Sequence, residues 1–367
     1  MEKVKAFLKR KNIEITAKRY GINALGAMAQ GLFASLLIGT IINTVGTQFG
    51  IEALTQPIVS ITSGENVITY TVGGLASAMS GPAMACAIGY ALQAPPLLLF
   101  SLITVGFAAN ALGGAGGPLS VLFIAIVSAE LGKAVSKETR IDILVTPLTT
   151  IFSGVLLSLW CAPAIGKAAS AVGRLIMWAT ELQPFLMGIL VSVLVGIALT
   201  LPISSAAICA AFGLTGLAGG AAVAGCCAQM IGFAVMSYKE NGVGGLVSQG
   251  LGTSMLQMPN IVRNPRIWIP PTLASAITGP IATCLFRFEM NGAPVSSGMG
   301  TCGLVGQIGV YTGWVSDVAS GAKAAITGMD WLAMALICFI LPAVLSVIFC
   351  EVLRRMGWIK ENDLKLD

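Results

Sequence analysis

The chain has 367 residues, of which 56% are hydrophobic and only 10% are charged, and its formal net charge is +5. A soluble domain of ordinary composition carries roughly a quarter charged residues. This composition leaves too little polar surface to cover a water-soluble globule, so it excludes a soluble enzyme and indicates that many side chains face lipid.

The first 20 residues carry a concentration of positive charge directly before the first apolar segment. Lysine and arginine in that position hold a terminus in the cytoplasm, and we therefore expect no nucleic-acid partner. Val4, Phe7 and Leu8 share one side of a helix that carries lysines around the other, which predicts an amphipathic helix on the inner membrane surface. The predicted regions are this helix in residues 1–20, a transmembrane domain in 21–353 and a cytoplasmic tail in 354–367.

Hydropathy predicts an all-α polytopic membrane protein. A helix needs about 20 mostly apolar residues to cross the hydrocarbon core. The clearest spans are residues 22–47, 72–92, 96–112, 145–162, 185–201 and 331–352. Shorter or less regular apolar stretches cover residues 119–131, 206–236, 243–256, 271–286 and 300–314. We expect about ten transmembrane helices plus re-entrant hairpins.

Glycine and proline interrupt the apolar segments at two comparable places. The first half contains Ser80-Gly81-Pro82 and the Gly-rich stretch 113–118, and the second contains Thr278-Gly279-Pro280 and residues 291–298. Backbone that leaves helical geometry at membrane depth must be buried in protein or line a wet cavity. These breaks predict a binding site, and their loose similarity suggests two structural repeats.

Basic residues also predict the orientation. The amino end and three further positively charged segments would face the cytoplasm, namely those around Lys133, Arg263 and Arg354. Both termini are then expected on the cytoplasmic side of the membrane.

The chain has no histidine, which removes the usual proton shuttle and the commonest metal ligand. We expect no catalytic residues, no metal and no cofactor. The nine cysteines lie mostly in apolar runs and lack C-x-x-C spacing, so we interpret them as packed thiols.

Polar side chains in apolar sequence are costly in lipid and therefore mark candidate ligand contacts. The first candidates are Glu289 and Asn291, which follow a predicted broken helix and could exchange hydrogen bonds with a hydroxylated solute; an Arg287–Glu289 pair at the interface is an equal alternative. The second group lies in a Gly/Pro-bounded stretch that resembles a re-entrant loop or an ordinary connection. Its members are Thr253, Gln257 and Asn260. Weaker candidates, each also readable as an interhelical hydrogen bond, are Gln307, Ser80 and Asn110.

Several strings resemble the membrane-embedded enzyme IIC component of bacterial phosphotransferase sugar transporters, and the PfoR-like group in particular. They are residues 252–260, Arg263-Asn264-Pro265, residues 269–275, Thr278-Gly279-Pro280, residues 141–147 and residues 202–207. The resemblance implies a homodimeric permease that binds a sugar or similar small polar solute near mid-membrane and moves it by alternating access.

The resemblance also implies that a partner protein phosphorylates the solute. Better-known relatives use a glutamate in a Gly-Ile-Thr-Glu-Pro string and a histidine at the sugar site, and this chain has neither. Any phosphoryl donor would be a separate cytoplasmic protein, and the chain alone is not expected to be an enzyme. Because the PfoR-like group is associated with regulation, the alternative is a membrane sensor that keeps the permease fold and signals to a cytoplasmic partner.

Overall fold

The computed structural model describes residues 2–63 and 66–366. The described chain forms two compact units, residues 1–167 and residues 168–367, with the boundary inside one long helix. Within the described residues the chain is predominantly helical, which confirms the predicted fold class.

The first unit begins with helix α1 (Glu2–Arg10) and the long helix α2 (Arg19–Thr47). After a single turn at Glu52–Thr55 come two antiparallel strands, β1 (Val59–Ser63) and β2 (Asn66–Tyr70), in which Val59 pairs with Tyr70. The helices that follow are α3 (Val72–Ala78), α4 (Ser80–Ala91), α5 (Pro96–Gly113), α6 (Gly117–Val135) and α7 (Asp142–Thr180).

The β-hairpin departs from the expectation that regular structure is helical throughout. Its strands are rich in β-branched residues, as in Val59 and Ile61 against Val67 and Ile68. Such residues favour extended backbone, but each strand has only five residues and lies outside the apolar stretches.

Helices of the first unit approach each other closely at glycines. A Cβ added to Gly81 would lie 2.3 Å from the carbonyl oxygen of Gly106, and one added to Gly106 would lie 2.3 Å from the carbonyl oxygen of Gly81. Backbone contact of this kind is typical of helix pairs in membranes. The predicted break at Ser80-Gly81-Pro82 is in fact the first turn of α4. The chain bends one residue earlier, where α3 and α4 meet at 49°.

The segment between α1 and α2 packs on other parts of the first unit. Arg10 and Lys11 form ion pairs with Glu138 at 2.7 and 2.5 Å. The guanidinium of Arg19 donates to the carbonyl of Leu92 at 2.8 Å, and the buried Lys133 donates to the same oxygen at 3.2 Å. Residues 2–20 thus contain helix α1, a docked connection and the first residues of α2.

The second unit contains α8 (Pro184–Thr200), α9 (Ser205–Ala211), α10 (Gly216–Met236), α11 (Tyr238–Val247), α12 (Met258–Arg263), α13 (Ile269–Pro280), α14 (Val305–Ala319) and α15 (Gly328–Arg355). Helix α10 is the centre of this unit and packs on α8, α13 and α15. In its most apolar stretch, 89% of the residues are buried. Its small residues permit this, since a Cβ on Gly225 would lie 1.9 Å from the carbonyl oxygen of Ser192.

The break predicted at Thr278-Gly279-Pro280 lies further along the chain. Helix α13 continues as a π-helical turn, Ile281–Leu285, and the backbone becomes extended only after Phe286. Residues 291–298 are irregular as predicted and end in a 3₁₀ turn, Pro294–Gly298. A second irregular stretch precedes α14, where Gly300, Gly303 and Leu304 have positive φ.

Five helices of the described chain are long and apolar enough to cross a membrane, or six if the bent pair α3–α4 is one span. One of the five is the run Pro96–Val135, which contains α5 and α6 packed on each other. Helix α8 is apolar but has only 17 residues. The count of about ten crossings stays a prediction.

Candidate functional site

The segment from Phe288 to Asn291 is extended and runs beside the start of α10. Met290 and Gly216 exchange backbone hydrogen bonds of 2.9 and 3.0 Å. Side chains of an extended segment alternate between two sides. Phe288 and Met290 are accordingly buried in an apolar cluster, whereas Glu289 is exposed and Asn291 half-buried.

Asn291 joins two carboxylates. Its Nδ2 donates to Asp317 Oδ2 at 2.8 Å and to Glu289 Oε2 at 3.2 Å. An ionised carboxylate can accept about four hydrogen bonds, so each retains capacity for a ligand. The expected Arg287–Glu289 ion pair is not among the contacts of the described residues, and Arg287 instead has a positive φ of 47°.

A loop after α14 closes the other side of the site. Lys323 Nζ forms an ion pair with Asp330 at 2.6 Å and lies 5.7 Å from the ring centre of Trp314. Asp330 also accepts hydrogen bonds from Thr327, whose hydroxyl caps the start of α15. This reciprocal cap holds the loop against the aromatic ring.

These groups surround a cavity of about 260 Å³. Its wall includes Trp314, which is buried and makes edge-to-face contacts with Phe288 at 6.4 Å and Trp331 at 5.7 Å. The volume is slightly below the usual 300–1,000 Å³ of small-molecule pockets. We call it the acidic cavity; its polar lining residues are Arg287, Glu289, Asn291, Asp317, Lys323 and Asp330.

The second predicted group, Thr253, Gln257 and Asn260, lies elsewhere in the same unit and is buried. The Thr253 hydroxyl accepts a hydrogen bond from the Met255 amide at 3.1 Å and caps the 3₁₀ turn Ser254–Gln257. Gln257 and Asn260 donate to main-chain carbonyls of Leu364 (2.9 Å) and Lys365 (2.8 Å), so both amides hold the carboxyl-terminal segment.

We name the two sides of this contact the strap and the amide cleft. The strap is residues 358–366, and the amide cleft is the set of carboxamide side chains that contact it or support those contacts: Asn241, Gln249, Gln257, Asn260 and Asn264.

The acidic cavity and the amide cleft lie at opposite ends of α10. Met290 binds Gly216 at its start, whereas Ser237, which follows its last residue, accepts a hydrogen bond from Gln249 at 2.9 Å. Helix α10 has 21 residues, so the ends are about 30 Å apart, close to the thickness of the hydrocarbon core. The structure therefore does not bring the two groups of predicted ligand residues together.

Gln307 lies between these ends, against the middle of α10. Its Nε2 donates to Cys227 Sγ at 3.2 Å. Its Oε1 is buried and has no hydrogen-bond partner among the described residues. A ligand role for Gln307 stays a prediction.

Ser80 and Asn110 belong to the first unit, where Asn110 Nδ2 donates to Ser80 Oγ at 3.3 Å. This bond joins α4 to α5, as the interhelical interpretation predicts. Neither residue lines the acidic cavity.

Sequence reasoning missed Trp314, Asp317, Lys323 and Asp330. The spacing Thr327-x-x-Asp330 before an apolar run is a capping signal that places a helix start there. Nothing local indicates that Asp317 contacts Asn291, which lies 26 residues earlier. Within the described residues, no group of three or more histidine, cysteine or acidic side chains could hold a metal ion, and all nine cysteines are free thiols.

Comparison with known proteins gives one family. The family model described as "Phosphotransferase system, EIIC" matches residues 22–366. No curated protein and no solved structure matches the chain.

Proposed function

Because the chain belongs to the enzyme IIC family of the phosphotransferase system and is a membrane permease of that type, we propose that it binds a sugar or similar small polar solute and translocates it by alternating access. The acidic cavity is the observation that carries this proposal. It combines carboxylates, a carboxamide and an aromatic ring, which together suit a ligand with hydroxyl groups and an apolar face.

We assign roles to most of the polar lining residues and to Trp314. Glu289 and Asp317 accept hydrogen bonds from solute hydroxyls, and Asn291 keeps the two carboxylates at a fixed separation through its donors. Trp314 offers a rigid ring that its two aromatic neighbours hold in place. Lys323, held by Asp330, balances the negative charge and can donate to a solute oxygen.

The orientation follows from positive charge. The end of α10 near the amide cleft carries Arg263, Arg266, Arg354 and Arg355, and basic residues favour the cytoplasmic side. The acidic cavity then faces the opposite side, where solute enters. Homodimerisation, separate cytoplasmic phosphoryl-transfer partners and the PfoR-like branch belong to the proposal on the strength of the family alone.

Binding to purified protein in lipid nanodiscs tests the proposal, with glucose, galactose, mannitol and N-acetylglucosamine as probes. A thermal shift with one of them, lost in Glu289→Gln and Asp317→Asn but kept in Glu52→Gln, supports the acidic cavity. Glu52 is an exposed acid of the first unit and serves as the charge-matched control. Equal shifts in all three variants contradict the assignment.

Uptake into proteoliposomes then separates the permease from the sensor. A permease accumulates or exchanges the labelled probe across the bilayer. A sensor binds the probe with the same dependence on Glu289 and Asp317, yet leaves the internal concentration unchanged.

A further inference from the structure

Most of the hydrogen bonds that hold the strap go to its main chain. Asn241 Nδ2 donates to the carbonyl of Leu364 at 2.8 Å, while Asn241 Oδ1 accepts from the amide of Leu366 at 2.8 Å. Asn264 Nδ2 donates to the carbonyl of Trp358 at 3.0 Å and to Asp363 Oδ2 at 2.8 Å. A side-chain amide can satisfy a peptide group in this way because the two have the same donor and acceptor.

Three residues of the cleft form a relay that fixes the direction of its hydrogen bonds. Gln257 donates to Gln249 Oε1 at 2.8 Å, and Asn260 donates to Gln257 Oε1 at 2.8 Å. Arg263 in turn donates to Asn260 Oδ1 at 3.0 Å. Since the relay occupies these oxygens, the second N–H groups of Gln257 and Asn260 point to the strap and require an acceptor.

The other described anchors of the strap are the Trp358 ring, whose centre lies 5.1 Å from the guanidinium carbon of Arg266, and two apolar side chains. Ile359 and Leu364 are its buried apolar residues, at 2% and 0% exposure. Lys360, Glu361, Asn362 and Lys365 are exposed. A segment with two buried side chains is drawn from the low-stability end of a structure, where local opening precedes global unfolding.

Release of the strap would leave N–H groups of the amide cleft without their present acceptors. Gln257 and Asn260 are buried and would each lose the acceptor of one N–H group. Donors without acceptors are unfavourable, and water or solute hydroxyl oxygens can then replace the peptide carbonyls. The cleft is thus rich in donors, whereas the acidic cavity at the other end of α10 is rich in acceptors, and a hydroxyl group can bind at both.

We propose that the amide cleft is a second binding site for a neutral, hydroxyl-rich solute and that the strap is its lid, which leaves when solute binds. This inference rests on the proposed permease function for the identity of the solute. It assigns to Asn241, Gln257, Asn260 and Asn264 the direct contacts, and to Gln249 the support of Gln257.

Hydrogen–deuterium exchange on the unaltered protein in nanodiscs tests the lid without any solute. We expect the amides of residues 364–366 to exchange at least about tenfold faster than those of α10 while the rest of the second unit stays protected. Exchange of these amides only as slowly as in α10 overturns the proposal, because the strap would then open only on global unfolding.

Replacing a strap residue leaves the cleft intact. Leu364→Asp buries a charge on closure, so we expect full exchange in residues 358–366 with unchanged protection of α10 and α13; Glu361→Ala, at an exposed strap position, is the control. An acetylated and amidated peptide of residues 358–366 should then bind the Leu364→Asp protein and fail to bind the unaltered protein. Equal binding to both, or to neither, contradicts an exchangeable strap.

A third experiment adds the sugars named above as probes and measures hydrogen–deuterium exchange by mass spectrometry. The proposal expects a bound sugar to raise exchange of residues 358–366 in the unaltered protein, and an Asn260→Ala substitution to abolish that rise. A sugar that binds at the acidic cavity but leaves strap exchange unchanged refutes the second site while leaving the proposed function standing.

Discussion

Asn291 donates a 2.8 Å hydrogen bond to Asp317 across 26 residues of sequence, and this bond joins the extended segment 288–291 to helix α14. The same nitrogen reaches Glu289 at 3.2 Å. One carboxamide thus holds together two carboxylates that would otherwise repel each other, and the acidic cavity depends on it.

Exchanging charge within this pair tests that dependence. Asn291→Asp replaces the shared donor by a third carboxylate, and we expect solute affinity to fall by about tenfold or more through repulsion between like charges. Titration of the protein in nanodiscs with a sugar that binds it measures the loss of affinity. The double variant Asn291→Asp with Asp317→Asn restores one amide and one carboxylate, and should recover most of the affinity; failure to recover any would show that the pair does not shape the site.

Glycine at position 220 is required by the close approach of α10 to the extended segment. An added Cβ would lie 1.7 Å from the carbonyl oxygen of Phe288, so Gly220→Ala should destabilise the protein by about 1–3 kcal/mol through overpacking. Thermal unfolding in detergent measures it.

Gly244 of α11 supplies the matched control, because no atom lies within 4 Å of its added Cβ. Gly244→Ala should leave stability unchanged or raise it by up to about 1 kcal/mol. Equal destabilisation by the two substitutions would refute the packing argument.

The cap of α15 supports the loop that carries Lys323. Thr327→Ala removes the hydroxyl that accepts from the Asp330 amide and donates to its carboxylate, and should cost about 1 kcal/mol. Thr327→Ser keeps the hydroxyl and should behave like the unaltered protein. Thermal unfolding with and without sugar measures the stability of each variant. Equal unfolding temperatures for Thr327→Ala and Thr327→Ser would argue against the cap.

Docking of the amino-terminal segment should depend on pH through Glu138. A hydrogen bond from Lys11 and the charge of Arg10 lower the pKa of this carboxyl below its usual value. A lowered pKa in the docked state means that the contribution is present above the undocked pKa and is lost as pH falls through the docked one. The protection factors of residues 10–19, which correct for the intrinsic pH dependence of amide exchange, should therefore fall at acid pH, and Glu138→Gln should remove that fall. An unchanged pH profile in Glu138→Gln would contradict this role.

Hydropathy and Gly/Pro breaks predict the helices because lipid imposes a strong length requirement on each span. The sequence also indicates Glu289 and Asn291, since polar side chains beside an interrupted apolar segment are unusual. It does not predict their partner Asp317, nor the contacts of Asn241 and Asn264 with the strap, which join residues about 100 or more positions apart. Such contacts depend on how helices pack, which local pattern does not specify. The sequence indicates Gln257 and Asn260 by the same polar character. In the structure their side-chain amides donate to main-chain carbonyls of the strap.

Uptake of a labelled sugar that binds the purified protein, measured in proteoliposomes with unaltered, Asp317→Asn and Glu52→Gln protein, tests the central claim most directly. The account predicts saturable uptake by the unaltered protein and by Glu52→Gln, and a loss of about tenfold or more in Asp317→Asn at low sugar concentration. Uptake by Asp317→Asn equal to that of the unaltered protein would contradict the acidic cavity as the solute site, and binding without any uptake would contradict a permease.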